Sequence, residues 1–421
     1  MKFRDHNDSR WIVLERSLIV GLVIYVLFYL TAFRFGALLT DDARQADFQM
    51  WYLLPPQIGA LDYPSVIAKN WNIPFPYLPS AVAMLLPLSL MPRTVAFIVW
   101  MVLQCASFAV VLWASLHLAG IAQSRIRLPV AAAAVFIVSA AIEWDLRAHS
   151  NNLIYLALIM LGLMARRTWI SAILLAATAN LKIYSGVLLL GFLWRREYRL
   201  AASMALAGLL IAIVLPLLTF GHSQFIKLLG SWTNEIHFLM SPAGQAAAPF
   251  TIRKTVSALL GLESGASAVT LVSISAQSLW LGLVVAYFVV AAKPTAPASE
   301  SNTARLCDVI VMLMLPLPIS AWFVPYHAVV MLPAFILIIV ALIDEQQPHR
   351  VRAMAAVASA GCIFMRFAFG AWELRTGVYL ISFVLVLLAL GAIRMSLAQS
   401  ALASASGING AAIDTDSGRR A

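Results

Sequence analysis

Across 421 residues, 62% are hydrophobic and only 11% charged, against about a quarter charged in an ordinary soluble domain. That balance excludes a water-soluble enzyme, a disulfide scaffold and a disordered chain. The net charge of +10 does not indicate a nucleic-acid partner, because no basic patch interleaved with aromatics occurs. The positive residues sit in pairs and triplets between apolar runs, as cytoplasmic loops of membrane proteins do.

The chain begins with Lys2, Arg4, Arg10 and Arg16, followed by an apolar run from Ser17 to about Leu39. The run is too long for a signal-peptide core and predicts a first transmembrane helix with its N-terminus inside. Arg34, about one turn from its outer end, can snorkel. Residues 40–77 form a long first extracytoplasmic loop with Asp41, Asp42, Asp47 and Asp62, broken by prolines and rich in interfacial aromatics such as Trp51, Tyr52 and Tyr77. Residues 78–92 are apolar but short and interrupted by Pro79, Pro87 and Pro92, which predicts a re-entrant or juxtamembrane segment.

Spans follow at Thr94–Leu118, Leu128–Ile142 and Leu153–Ala165, with Arg125/Arg127 and Arg166/Arg167 inside and Glu143–Asn152 outside. Thr168–Leu193 is flanked by basic clusters at both ends and broken by Asn180 and Lys182. A single crossing or a hairpin of two short helices fits it; the hairpin keeps both clusters inside and is preferred. Leu200–Phe220 then crosses outward, residues 221–265 form a second large extracytoplasmic loop, and Ala266–Ala292 returns. Further crossings are expected at Leu306–Phe323, Ala328–Ile343, Ala353–Phe369 and Val378–Arg394, before a disordered cytoplasmic tail at 396–421. The expectation is an all-α, polytopic single domain over residues 1–395, with about ten full crossings plus the hairpin and both termini cytoplasmic. It resides in the cell membrane, as a cell-envelope protein would, and its lipid bilayer is its first partner. The sequence leaves its oligomeric state open.

Polar groups concentrate on the extracytoplasmic side. His149, His222, His237 and His327 lie there, but no HExxH or Cys/His spacing accompanies them, so no metal and no cofactor is expected. Asp47 reads either as a solvated loop acid or as a base. Transfer of a sugar from a lipid phosphate needs only one carboxylate, because phosphate leaves readily, whereas a glycosidase normally needs two. Lys182 reads either as a structural contact or as the partner of an anionic lipid phosphate, since an ammonium at a helix centre costs about 2.5–3.5 kcal/mol to insert.

Several motifs, in order, resemble glycosyltransferase family 87 of the GT-C superfamily. These are Asp47-Phe48 with Trp51-Tyr52, then Phe75-Pro76-Tyr77-Leu78-Pro79 with Leu85-Leu86-Pro87-Leu88, and Asn152 ahead of an apolar helix. Leu181-Lys182-Ile183-Tyr184 and Tyr326-His327 with Met331-Leu332-Pro333-Ala334 follow. Three departures stand out: His149-Ser150 replaces Gly-Gln, Ser185 replaces a proline, and Pro249-Phe250-Thr251 replaces Asn-Gln-Ser.

The resemblance implies a GT-C-like helical bundle and an inverting, mannosyltransferase-like activity. A sugar, typically mannose, would pass from a polyprenyl-phosphate donor to an extracytoplasmic glycolipid or polysaccharide acceptor. It implies Asp47 as general base, Lys182 on the donor phosphate and His327 on the phosphate or the acceptor. His149, Asn152, Tyr52 and Tyr326 would contact sugar or acceptor. A transporter, a lipid-linked sugar flippase and a non-catalytic assembly subunit are the competing classes. A transporter would show paired broken helices, and only one Lys-bearing hairpin is evident.

Overall fold

A computed structural model describes residues 47, 48, 50–53, 77–240, 256, 257, 260–263, 266–292, 301–318, 325–368 and 381–401. The expected first span and most of the first loop lie outside these. The described residues are helical, with no strand among them. A short helical segment at 47–53 precedes α1 (Pro79–Ser89), α2 (Arg93–Leu118), α3 (Arg127–Ala148), α4 (Asn152–Met164) and α5 (Thr168–Leu181). A 3-10 turn (Ile183–Val187) leads to α6 (Leu188–Trp194), α7 (Tyr198–Phe220) and α8 (His222–Met240). Then come α9 (Ser267–Ala286) with a π-turn at Tyr287–Ala291, α10 (Asn302–Met314), a 3-10 helix (Pro325–Val330), α11 (Met331–Ile343), α12 (His349–Ala368) and α13 (Ile381–Ala401).

Five of these are long and apolar enough to cross a membrane: α2, residues 127–146 of α3, α7, α9 with its π-turn, and α13. Their apolar side chains face outward in number. Leu206, Leu209 and Leu218 of α7, and Leu271, Ile274 and Leu279 of α9, are all exposed. In water such a surface would aggregate; in lipid it matches its solvent. By contrast α11 is buried along nearly its whole length, which makes it the centre of the bundle.

The shorter helices build the interior. At 13 or 14 residues, α4 and α5 reach only about 20 Å, less than a bilayer core. They approach closely at Gly162, where an added Cβ would stand 3.0 Å from Leu175 Cγ, and Ser171 Oγ donates to the Gly162 carbonyl at 2.7 Å. Beyond Lys182, Tyr184 Oη donates to Tyr155 Oη near the other end of α4. The chain then comes back. Arg195, just past α6, pairs with Glu197, and Glu197 pairs with Arg305, whose Nη1 reaches the Leu163 carbonyl at the end where α5 began. So α5, the 3-10 turn and α6 make a hairpin with Lys182 at its apex.

The end to which it returns is fastened by charge. Asp308 of α10 accepts from Arg195 Nη1 (2.6 Å), Arg394 Nε (3.2 Å) and Tyr287 Oη (2.8 Å). Four elements far apart in sequence meet on that carboxylate. The π-turn presents Tyr287 to it, and the next carbonyl, of Ala292, accepts from Trp194 Nε1. Ser301 caps α10 by accepting from the Ala304 N–H, as a serine at that position does.

Two segments expected to lack regular structure contain helix. Residues within 221–265 expected as loop include a 19-residue helix, α8, whose polar residues are spaced so that apolar ones fall on one side. The tail expected to be disordered from 396 is helical as far as Ala401: Ser396 Oγ donates to Gln347, and Arg350 donates to Gln399. Its alanines and leucine favour helix, and these bonds anchor it to the turn before α12 and to α12 itself. Residues 402–421 lie outside the described residues.

Replacing Asp308 with Ala should be costly, because it removes the carboxylate that the buried Arg195 and Arg394 guanidinium groups share, although Arg195 keeps Glu197. About 3–5 kcal/mol is expected, read as a clear fall in thermal unfolding temperature in lipid nanodiscs. An unchanged melting temperature would mean the cluster does not fasten this end.

Candidate functional site

The end opposite the arginine cluster has its own apolar core. Phe48, Met50 and Trp51 of the 47–53 segment pack with Ala81, Val82 and Leu88 of α1, Phe97 and Trp100 of α2, and Leu181. Phe48 meets Phe97 edge-on at 5.1 Å, and Trp51 meets Tyr77 at 4.3 Å. This packing pins Asp47, itself buried, beside the hairpin apex.

At that apex α5 stops because Lys182 turns extended (φ −141°, ψ 99°). Ser185 Oγ lies 3.1 Å from the Thr178 carbonyl and 2.6 Å from that of Lys182, reinforcing acceptors that the Lys182 and Ser185 N–H groups already meet. The Lys182 side chain is buried. Its Nζ donates to Tyr77 Oη at 3.3 Å and lies 5.3 Å and 5.9 Å from the ring centres of Tyr77 and Tyr184. Burial, and after it the Asp47 carboxylate, hold the Tyr77 phenol well above its ordinary pKa. The hydroxyl is therefore neutral and leaves the ammonium charge uncancelled. Among the described residues no carboxylate lies within ion-pair distance of Lys182, although Asp47 and Asp145 both act on it electrostatically. His327, in the 3-10 helix before α11, is buried, packs edge-on to Tyr184 at 5.9 Å and also feels the Lys182 charge.

The third component is the corner between α3 and α4. Asp145, fully buried, accepts from Asn152 Nδ2 at 2.6 Å and from the Leu153 N–H at 3.4 Å. Asn152 Nδ2 also donates to Ser150 Oγ at 2.9 Å. α2 holds the corner from the side: Trp100 Nε1 donates to the His149 carbonyl and Gln104 to the Ser150 carbonyl. His149 sits in the left-handed region (φ 53°, ψ 37°) with its ring edge-on to Phe97.

Asp47, Lys182, His327 and, through Asp145, Asn152 thus share one electrostatic neighbourhood. The other expected residues stand differently. Tyr52 donates its hydroxyl to the Met91 carbonyl at 3.0 Å, a tie between the 47–53 segment and the turn after α1. Its hydrogen is engaged in that tie. His149 gives its carbonyl to Trp100 and sets its ring against Phe97. The Tyr326 side chain lies outside the described residues. Asp145 was not expected in the site at all, although it is the lone aspartate between Asp62 and Asp308 and ends an apolar helix.

A profile of glycosyltransferase family 87 matches residues 75–316, more than half of the chain. The chain belongs to glycosyltransferase family 87. The matched stretch of this glycosyltransferase contains Tyr77, Asp145, Asn152, Lys182 and Tyr184, so the apex and the α3–α4 corner both lie within it. No curated protein and no solved structure matches the chain.

Asp145→Ala should loosen the corner, since the Leu153 N–H and one hydrogen of the Asn152 amide lose a buried acceptor. A loss of about 1–3 kcal/mol is expected, visible as a lower unfolding temperature and faster hydrogen exchange at 150–153. Wild-type exchange in that variant would show that Asp145 does not hold the corner.

Proposed function

We propose that this family 87 glycosyltransferase is inverting and moves a sugar, most simply mannose, from a polyprenyl-phosphate donor to a glycolipid or polysaccharide acceptor outside the cytoplasm. The observation that carries the reading is the buried Lys182 ammonium at the hairpin apex, held by a neutral phenol and two aromatic faces. An ammonium has three donor hydrogens, and one phenol oxygen leaves capacity for an anion. A donor phosphate supplies that anion, and its departing charge is what the ammonium would stabilise.

In this reading the acceptor hydroxyl oxygen attacks the anomeric carbon while the bond from that carbon to the phosphate oxygen breaks. The electron pair leaves with the phosphate, whose negative charge Lys182 meets, and Asp47 takes the hydroxyl proton. His327, across Tyr184, orients the acceptor or a phosphate oxygen. The polyprenyl tail lies along the apolar helices. Residues 1–395 then act as one transmembrane catalytic domain with about ten crossings. The arginine end of the bundle faces the cytoplasm, consistent with the usual bias of basic residues. The site faces outward, and both termini are inside.

The test is transfer of radiolabel from polyprenyl-phosphate mannose to a membrane glycolipid extract by purified protein in lipid. Asp47→Asn should retain the labelled donor and transfer none of it; transfer at the wild-type rate would remove the base assignment. Lys182→Met should lower kcat/KM by about 10²–10³-fold, the usual loss when a preorganised charge-stabilising group is removed. It should change the unfolding temperature little, because the ammonium it removes has no carboxylate within ion-pair distance among the described residues and the methionine keeps the burial while giving up one hydrogen bond to Tyr77. Donor binding and turnover that are indifferent to Lys182→Met would refute the phosphate role.

A further inference from the structure

The α3–α4 corner contains three amide atoms that the fold leaves unsatisfied. Asn151 Nδ2, Asn151 Oδ1 and Asn152 Oδ1 are buried without a hydrogen-bond partner among the described residues. Asn151 is 1% exposed and Asn152 fully buried. Buried side-chain amides are rarely left in this condition, and each unmade bond costs about 1–3 kcal/mol. Two adjacent asparagines with amide atoms left unmet among the described residues, on the corner that carries Asp145, indicate a ligand.

The chemistry of the orphan atoms limits what the ligand is. Both Asn152 N–H groups are engaged, by Asp145 Oδ1 and Ser150 Oγ. That fixes the amide's orientation and turns its carbonyl into the free end. The vacant set is therefore two acceptors and one donor group. A phosphate without acidic hydrogens offers acceptors only. It would satisfy the Asn151 N–H and leave both carbonyl oxygens facing negative charge. A sugar hydroxyl donates and accepts at once, and two neighbouring hydroxyls would meet all three atoms.

The location selects which sugar. Asp145, which holds Asn152, acts electrostatically on Lys182. The 3-10 helix bearing His327 packs against both α3 and α4. A ring attached directly to the phosphate at Lys182 is the sugar that reaches this corner. We infer that Asn151, with the Asp145-locked carbonyl of Asn152, binds hydroxyls of the donor sugar and sets which sugar is transferred. This rests on the donor reading given above. In it Asn151 contacts substrate, while Asp145 is a positioning residue that acts through Asn152.

The experiment combines Asn151→Ala with single-site deoxygenation of the donor. Binding and turnover are measured in lipid for polyprenyl-phosphate mannose, glucose and galactose. The accepted hexose is then tested as its 2-, 3-, 4- and 6-deoxy donors, alongside deoxy acceptors. Wild type should lose roughly 10–100-fold in kcat/KM at one or two donor positions, the loss expected when a buried amide keeps its desolvation cost without its partner. Asn151→Ala should show a similar loss with the intact donor and no further loss at one of those positions. Its unfolding temperature without ligand should equal or exceed that of wild type, because the substitution removes an unsatisfied buried group. A residue serving only the fold would lower that temperature.

Wild-type discrimination retained at every donor position in Asn151→Ala overturns the inference and leaves the transfer reading intact. Coupling seen only with deoxy acceptors overturns it equally, by assigning Asn151 to the acceptor. A wild type that binds none of the three donors removes the donor reading and this inference together.

Discussion

A buried ammonium is the constraint around which this bundle is arranged. Placing Lys182 at the centre of a continuous spanning helix would cost about 2.5–3.5 kcal/mol, with no ion-pair partner to offset it among the described residues. The fold instead breaks the helix at that residue. The chain becomes extended at Lys182, and the Ser185 N–H and hydroxyl both bond the Lys182 carbonyl to close the turn. The charge rests between the rings of Tyr77 and Tyr184, where cation–π attraction partly replaces hydration. Each of those tyrosines is then placed by something else. Tyr77 packs on Trp51 of the Asp47 segment, and Tyr184 bonds to Tyr155 of α4 and packs on His327. Through those two rings the apex charge is linked to the Asp47 segment, α4 and the 3-10 helix of His327.

Much of this was legible from the residues. The expected span at Thr94–Leu118 is α2 within one residue, and Leu200–Phe220 lies within α7 (Tyr198–Phe220), since long apolar runs bounded by arginines leave little choice. Lys182 stands out because it interrupts an apolar run, whereas Asp47 and His327 stand out from their neighbours through the motifs of the family resemblance. Asp145 escaped because a carboxylate at a helix end reads as a solvated loop acid. Its burial comes from Gln104 and Trp100, about 40 residues earlier, and no local period records such a contact. The same holds for Asp308, whose arginine partners stand 113 and 86 residues away. The α8 helix was hidden by its polar content.

The replacement of the family's glycine by His149 gains a physical meaning. The position is left-handed, a conformation that costs a residue with a Cβ about 1–2 kcal/mol. A glycine adopts it freely. Here the imidazole meets Phe97 edge-on, and its carbonyl is held by Trp100. Those contacts offset the backbone cost and press the corner against α2. The departure changes how the corner is held, while the residues that carry the unsatisfied amides, Asn151 and Asn152, follow directly behind it.

The carboxylates of the arginine end and the asparagine amides of the other end differ in how fully they are met, and that difference separates structure from chemistry. At the arginine end Asp308 takes three donors, and Glu197 bridges two guanidinium groups. A charge satisfied this completely has nothing left for a substrate and serves to hold helices together. At the other end Lys182 has one phenol oxygen, Asn151 has no partner among the described residues, and Asn152 has one free carbonyl. An isolated fold gains nothing from such gaps, and a site complementary to a passing ligand requires them. The apolar layer between the ends keeps the two networks apart. Substitutions at the satisfied end are therefore felt first as lost stability, and those at the unsatisfied end first as lost recognition.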